Sequence, residues 1–217
     1  AIFEQGLPKT VANHVPLSPL TFIERSASIY PDYPAVVHGS TRRSWSETWS
    51  RCRQLASALE KRGIQPGQTV AAMLPNIPAM FEAHFGVPLA GCVLNTLNIR
   101  LDAEAISYML EHGEAKAILV DPEFAEVIQQ AVAKLPLKPL IIDVADVEFL
   151  GDTPSIGEVE YEALLQEGDA DFAYQLPADE WDAISLNYTA GTTGKPTGVV
   201  SHHRRAHRKG VSTRMAW

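Results

Sequence analysis

The sequence predicts an α/β fold built on a mostly parallel, doubly wound sheet. Two observations carry this. Short apolar runs such as Thr69–Leu74 and Lys116–Val120 recur along the chain. They are near-continuously apolar, as strands buried on both faces are. Between them lie amphipathic stretches of ten or more residues, and strands separated by helices of that length form βαβ units.

The elements follow in order. Leu20–Ile29 reads as a short amphipathic helix. Ala35-Val36-Val37 and the residues after the Gly39-Ser40 turn read as a hairpin. Ser44-Trp45-Ser46-Glu47 fits a capping box. The helix after it places Trp49, Cys52, Leu55, Ala56 and Leu59 on one stripe and ends at Gly63. Thr69–Leu74 is a buried strand, Ile77–Leu89 a helix and Gly91–Thr96 a strand. Asp102 caps a helix running to about His112. Lys116–Val120 is the next strand. Asp121-Pro122 then opens a helix, with Asp as cap and Pro at the first helical position. Leu140–Val144 and Ala183–Tyr188 are the remaining strands. No internal repeat or low-complexity tract is present.

Composition sets the bounds. The 217 residues are 46% hydrophobic and 20% charged, enough for one domain, or one domain with an excursion. No apolar run is long enough to span a bilayer. Ala1–Lys9 lacks a basic region followed by an apolar stretch, so the expectation is no secretory signal and a cytoplasmic protein. Cys52 and Cys92 are too far apart for CxxC chemistry and too few for a disulfide framework, and are expected as buried thiols. The net charge of −8 is uneven. Residues 143–182 hold 13 Asp/Glu and no Lys/Arg, and 204–217 hold five Lys/Arg and no Asp/Glu. The acidic stretch reads as a solvated excursion. The basic end lacks interleaved aromatics, which argues against nucleic-acid binding and for a basic surface helix or a loose end.

The richest local signal is Asn187-Tyr188-Thr189-Ala190-Gly191-Thr192-Thr193-Gly194-Lys195-Pro196-Thr197-Gly198-Val199-Val200. A strand enters and an apolar pair leaves. Glycines let backbone N–H groups approach an anion closely, threonine hydroxyls add donors, and Lys195 adds a charge. It is not a Walker A loop, because counting five on from Gly191 reaches Pro196. Read alone, it is either a phosphate cradle or a Gly/Thr turn.

The string resembles the family of AMP-forming adenylating enzymes: acyl-CoA synthetases, firefly-type luciferases and peptide-synthetase adenylation domains. Their signature reads approximately T-S-G-T-T-G-x-P-K-G-V, and Thr189 to Val199 keep that order. Arg43-Ser44-Trp45-Ser46-Glu47, Val70 to Asn76, Ala79 to Gly91 and Leu94 to Leu101 extend the resemblance. The last two runs are similar to the fatty acyl-CoA ligase branch, which includes methylmercaptopropionate-type ligases. The resemblance implies that residues 1–217 are the N-terminal portion of an AMP-binding domain, with the C-terminal lid domain absent.

It also implies two half-reactions: a carboxylic acid, expected to be a fatty acid, attacks ATP to give an acyl-adenylate, and CoA displaces AMP. Thr189, Ala190, Gly191, Thr192, Thr193, Gly194 and Lys195 would hold the ATP phosphates, with a loop Thr helping to position Mg2+. No catalytic residue is assigned, because the family's magnesium-binding Glu, ribose-binding Asp and lid Lys lie beyond the matched stretch. ATP, Mg2+, CoA and a small carboxylic acid are the implied partners, with no nucleic acid, no membrane span and self-association into a homo-oligomer through exposed apolar surface. Two positions depart from the signature. Ala190 replaces a Ser and Thr197 replaces a Lys, and a lost charge-assisted hydrogen bond costs roughly 1.5–3 kcal/mol. The basic run Arg205-Ala206-His207-Arg208-Lys209 stands where the family continues into an apolar helix. A non-catalytic nucleotide-binding module and a carrier-protein-loading enzyme are the rival readings.

The remaining candidates read as structural. His202, His203 and His207 lack further ligands and sit among arginines, which argues against a metal site. His84 reads as a packed, hydrogen-bonded histidine, with Glu82 on another helix face. Asn187 and Tyr188 either line the nucleotide site or cap the sheet.

Overall fold

A computed structural model describes residues 2–146, 148, 154–189 and 196–215. Leu20, Ile23 and Ala27 turn one face of α1 (Leu20–Ile29) inward. The hairpin of β1 (Pro34–His38) and β2 (Thr41–Ser44) pairs Val37 with Arg42 and His38 with Thr41. Ser44 then starts α2 (Trp45–Lys61): its Oγ accepts from Glu47 N at 3.2 Å, and its N–H donates to Glu47 Oε2 at 2.7 Å. This reciprocal cap is the expected capping box, and such caps contribute about 1 kcal/mol. Gly63 follows the helix at φ +85°, a left-handed conformation that glycine adopts without strain.

The chain then alternates. β3 (Thr69–Met73), α3 (Pro78–Leu89), β4 (Val93–Thr96), α4 (Ala103–His112) and β5 (Ala115–Val120) follow one another. Asp121 caps as expected, but the turn it caps is a 3-10 turn over Pro122–Phe124. Phe124, at φ −100° and ψ 11°, breaks the path, and α5 (Ala125–Val132) begins after it. β6 (Leu140–Asp143), β7 (Val159–Glu160), α6 (Tyr161–Glu167), β8 (Ala183–Thr189), β9 (Thr197–His202) and α7 (His203–Met215) complete the order.

The described residues form a seven-stranded sheet in the order β7-β6-β5-β3-β4-β8-β9, beside the two-stranded hairpin. The strands expected at Thr69–Leu74, Gly91–Thr96, Lys116–Val120, Leu140–Val144 and Ala183–Tyr188 all lie in this sheet, and its pairs are parallel except β8–β9. β3 is buried on both faces. Val70 and Ala72 join the core under α1, α2, α3 and α6, and Ala71 and Met73 join the core under α4 and α5. The sheet is therefore doubly wound. From β3 the chain steps to β4 on one side and then to β5 on the other, which makes β3 a topological switch point.

Two expectations change. The run after the loop, read as an apolar pair, is the six-residue antiparallel strand β9, with Val199 and Val200 exposed at the sheet edge. The acidic stretch is also more than a solvated excursion. Within it, α6 buries Tyr161, Leu164 and Leu165 in the core beside α2. The α6 acids Glu162 and Glu167 meet Arg51 and Arg62, and beyond the helix Asp171 meets Arg53. The charge count averages over faces and hides this apolar stripe.

Packing of α2 on α3 is close. A Cβ at Gly86 would lie 2.7 Å from Leu55 Cδ2 and 3.0 Å from the Cys52 carbonyl oxygen. The same contact buries Glu82 completely. Its carboxylate accepts from Arg43 Nη1 at 2.8 Å, Arg51 Nε at 2.6 Å and the Tyr161 hydroxyl at 2.7 Å. A buried charge is tolerated only when paired and hydrogen-bonded.

Two substitutions test this architecture by urea denaturation. Leu164→Ala should cost about 2–5 kcal/mol, the usual loss for a fully buried leucine. Glu82→Ala should cost about 3–5 kcal/mol, because it leaves buried donors unpaired. A Leu164→Ala loss below about 0.5 kcal/mol, as at an exposed site, would place α6 outside the core.

Candidate functional site

β8 alternates strictly. Ile184, Leu186 and Tyr188 are buried or half-buried on one side, and Ser185, Asn187 and Thr189 are more open on the other. Such a strand covers a core on one face only. β9 returns beside it in a register that pairs Thr189 with Thr197, Tyr188 with Gly198 and Asn187 with Val199. The two ends of the phosphate-loop candidate are thereby held together at the carboxyl edge of the sheet, where open α/β sheets bind ligands. Thr189 is exposed, and its Oγ1 donates to the Thr197 carbonyl oxygen at 3.5 Å. Ala190, Gly191, Thr192, Thr193, Gly194 and Lys195 lie outside the described residues. Thr197, in place of the signature Lys, is exposed at the start of β9.

β8 is pinned from both sides just before this point. On the α3 side, Thr96 Oγ1 donates to Asn187 Oδ1 at 2.9 Å. On the α4 side, the Tyr188 hydroxyl lies 2.8 Å from His112 Nδ1 and 3.3 Å from the Met109 carbonyl oxygen. The Tyr188 ring meets Tyr108 and His112 edge-on, with centroids 6.4 and 5.7 Å away. Burial, and to a lesser degree Tyr108, push the Tyr188 hydroxyl above its ordinary range. It therefore stays protonated and able to donate. Neither the Thr96–Asn187 nor the His112–Tyr188 pair was foreseen. The period-2 polar stripe Ser185-Asn187-Thr189 was the available signal for an open face.

The same edge carries further polar groups. After β4, Asn98 Oδ1 accepts from Arg100 N at 2.9 Å, and both residues are exposed. At the end of β5, Asp121 is buried, and burial raises its carboxyl above the ordinary value.

The histidines do not converge. His203 is buried, with Nδ1 2.8 Å from Ser18 Oγ. His202 accepts from Arg205 N at 3.0 Å and lies over Trp181, with centroids 4.3 Å apart. His207 packs on Phe22 at 4.8 Å. Among the described residues no group of three or more His, Cys, Asp or Glu could hold a metal ion. His84 makes the expected hydrogen bond, its Nδ1 lying 2.7 Å from the Met80 carbonyl oxygen within its own helix, but it is exposed rather than packed. Glu82, one face away, is the residue that packs inward. Both cysteines are buried, and burial pushes the Cys92 thiol up to about 11 and Cys52 well above its usual value, which leaves both unreactive. The basic end is a surface helix, α7, joined to the body by the Arg204–Glu180 ion pair. No helix among the described residues is long and apolar enough to cross a membrane.

Comparison with known proteins adds to this geometry. The family model described as AMP-binding enzyme matches residues 23–216. A peroxisomal acetate/butyrate–CoA ligase of Arabidopsis thaliana is 45% identical over 222 residues, covering 97% of this chain and 39% of the relative. An acetate–CoA ligase of Humulus lupulus is 43% identical with the same coverage. A peroxisomal trans-cinnamate:CoA ligase of Petunia hybrida is 39% identical, covering 97% of this chain and 40% of the relative. The chain thus spans about two fifths of the length of these curated relatives. Among solved structures, an anthranilate CoA ligase in complex with anthranoyl-AMP superposes with a TM-score of 0.79 at 20% identity, covering 90% of this chain and 37% of the other. A benzoate CoA ligase from Burkholderia xenovorans gives 0.74 at 19%, covering 88% and 36%. At such identities the structures bear on the fold, and they match its mostly parallel α/β arrangement.

The fixing of α7 under β9 carries a pH signature. Burial depresses His203 to about 4, with Asp182 opposing and His202 adding to the shift. Ser18 is its hydrogen-bond partner. A histidine whose folded pKa lies below its unfolded value near 6.5 contributes fully above about pH 6.5, and that contribution is lost as pH falls towards 4. The urea midpoint should therefore drop across this window, by about 2 kcal/mol in stability, the full shift being worth about 3 kcal/mol before solvent screening. His203→Asn, which keeps a polar atom near Ser18 but does not titrate, should flatten the slope. An unchanged slope in the variant would show that His203 is not its source.

Proposed function

The chain belongs to the AMP-binding enzyme family, and we propose that its protein activates a carboxylic acid with ATP and transfers the acyl group to CoA. The carrying observation is the β8–β9 hairpin. It pairs Thr189 with Thr197, the two described ends of the loop, at the carboxyl edge of a doubly wound sheet. In the first step a carboxylate oxygen attacks the α-phosphorus of ATP, and pyrophosphate leaves. In the second the CoA sulfur attacks the acyl carbon, and AMP leaves. Residues Thr189 to Lys195 bind the β- and γ-phosphates through backbone N–H groups, hydroxyls and the Lys195 charge, which stabilises the departing pyrophosphate. Magnesium, when bound with ATP, screens the phosphate charge. The threonine hydroxyls at the loop mouth suit an oxygen-preferring cation.

The acid is aliphatic in this reading, with the fatty acid of the initial expectation narrowed to its short-chain end. The relatives named for acetate, butyrate and 2-methylpropanoate support that choice. The cytoplasm is the proposed compartment. The peroxisome is the rival, because several relatives carry that location in their names. Exposed Ile2, Phe3, Val11 and Trp181 favour a homo-oligomer, or coverage by further chain. Ala190 and Thr197 favour a second reading, a nucleotide-binding module without turnover.

Calorimetry with Mg·ATP, beside assays of carboxylate-dependent pyrophosphate release, tests the proposal. The 217-residue stretch should bind Mg·ATP weakly and release no pyrophosphate with acetate, butyrate or longer acids. Ala190→Ser with Thr197→Lys should tighten Mg·ATP binding about tenfold, the value of one charge-assisted hydrogen bond. Unchanged affinity in the double variant would remove the loop from the phosphate site.

A further inference from the structure

The interior of the sheet hides a polar group that the fold does not pair. Asn95 stands in β4, with Ala71 of β3 and Leu186 of β8 as its register partners on either side. Ala71 belongs to the core under α4 and α5, and Leu186 shares its strand face with Tyr188, which packs on that core. The Asn95 side chain is therefore on the α4 face, while its neighbour Leu94 is in the opposite core. It is fully buried, at 0% exposure. Neither its Nδ2 nor its Oδ1 has a hydrogen-bond partner among the described residues.

An amide taken out of water without compensation is strongly unfavourable. Buried polar groups in folded proteins are accordingly paired with protein or with ordered water in roughly nine cases of ten or more. The protein supplies no partner here, and water can supply both halves, since it donates and accepts. The surroundings suit it. Ala71 offers one methyl group beside Asn95, and Gly113, where α4 ends, has no side chain. A Cβ at Gly113 would lie 3.1 Å from Leu186 Cδ2, so the end of α4 comes down on the register partner of Asn95. A helix end carries carbonyl oxygens with no partner inside the helix. Those of Met109 and Glu111 are taken by Gly113 N and Glu114 N, and others of the last turn are left to other donors. At about one buried water per 27 residues, a chain of 217 residues would hold about eight.

We propose that the Asn95 amide is a buried water site, its Nδ2 donating to a water oxygen and its Oδ1 accepting from a water proton, and that this water bridges β4 to the carbonyl end of α4. The site is enclosed between the sheet and a helix, and it does not rest on the phosphate-loop reading. It also lies where backbone pairing is sparse. β4 and β8 share two register pairs, against four between β3 and β4. Water held at Asn95 adds hydrogen bonds at the seam that has the fewest of its own.

The test is nuclear magnetic resonance on the parent chain, beside solvent relaxation dispersion and urea denaturation of the parent and Asn95→Val. Valine removes both polar atoms and suits a strand. In the parent, the Asn95 Nδ2 protons should show cross-peaks to water of opposite sign in NOE and ROE spectra, as a long-resident water gives. Relaxation dispersion, which counts long-lived internal waters, should find at least one fewer in Asn95→Val. The urea midpoint of the variant should equal or fall below that of the parent, because the amide it removes was already satisfied. Absence of the water cross-peaks, or equal signs in the two spectra, overturns the site. So does an equal count of long-lived waters in parent and variant. A urea midpoint that rises in Asn95→Val also overturns it, since that is the gain expected from removing an amide with no partner of any kind. If Asn95→Val does not fold, the parent spectra decide by themselves.

Discussion

A carboxylate with no access to water holds the α1–α3 side of the molecule in place. Glu82 enters the core from α3 and is met by Arg43 from β2, Arg51 from α2 and Tyr161 from α6. The arrangement has little freedom. Desolvating the charge is costly, and only this set of donors in this geometry offsets it. Arg51 reaches past Glu82 to Glu162 and lies 2.6 Å from its Oε1, and that contact holds the Glu162 carboxyl below its usual range. The hairpin, the α2–α3 pair and the acidic segment are therefore oriented by one group. With those elements set, β3 is covered on its α2–α3 side, and the carboxyl edge beyond it takes its shape.

Much of this was legible in the residues. The strands buried on both faces announce themselves through unbroken apolar runs such as Val70 to Leu74. Ser44, Glu47 and Asp102 mark helix starts by chemistry that depends only on neighbours. Long-range pairing was not legible. Glu82 looks like an ordinary helix-surface acid until Arg43, Arg51 and Tyr161 converge on it from three other elements. The same holds for α6, whose apolar stripe of Tyr161, Leu164 and Leu165 sits inside the most acidic part of the chain. Asn187 reads as a polar break in a strand, and its partner Thr96 stands far away in sequence. Of the loop residues, Thr189 closes β8, one residue beyond the strand end read from the sequence. For the rest of the loop the sequence pattern remains the guide, and the hairpin that frames it comes from the structure.

The antiparallel return of β9 has a consequence for how the site comes into being. β8 and β9 are neighbours along the chain, so their pairing closes a short loop at small entropic cost. The seam between β4 and β8 is different. Leu94 must find Ser185, and everything from α4 to α6 lies between them. Pairings of such long separation form late and slowly. The hairpin is therefore free to exist as a local unit before the rest of the sheet has a groove to receive it. In that order of events the ribosome would release β8 well after β3 to β5 had emerged, and the last seam to zip would be the one that brings Thr96 beside Asn187. The arrival of β8 at β4 is thus an assembly checkpoint, separating a chain that has its secondary structure from one whose sheet is joined from β7 to β9.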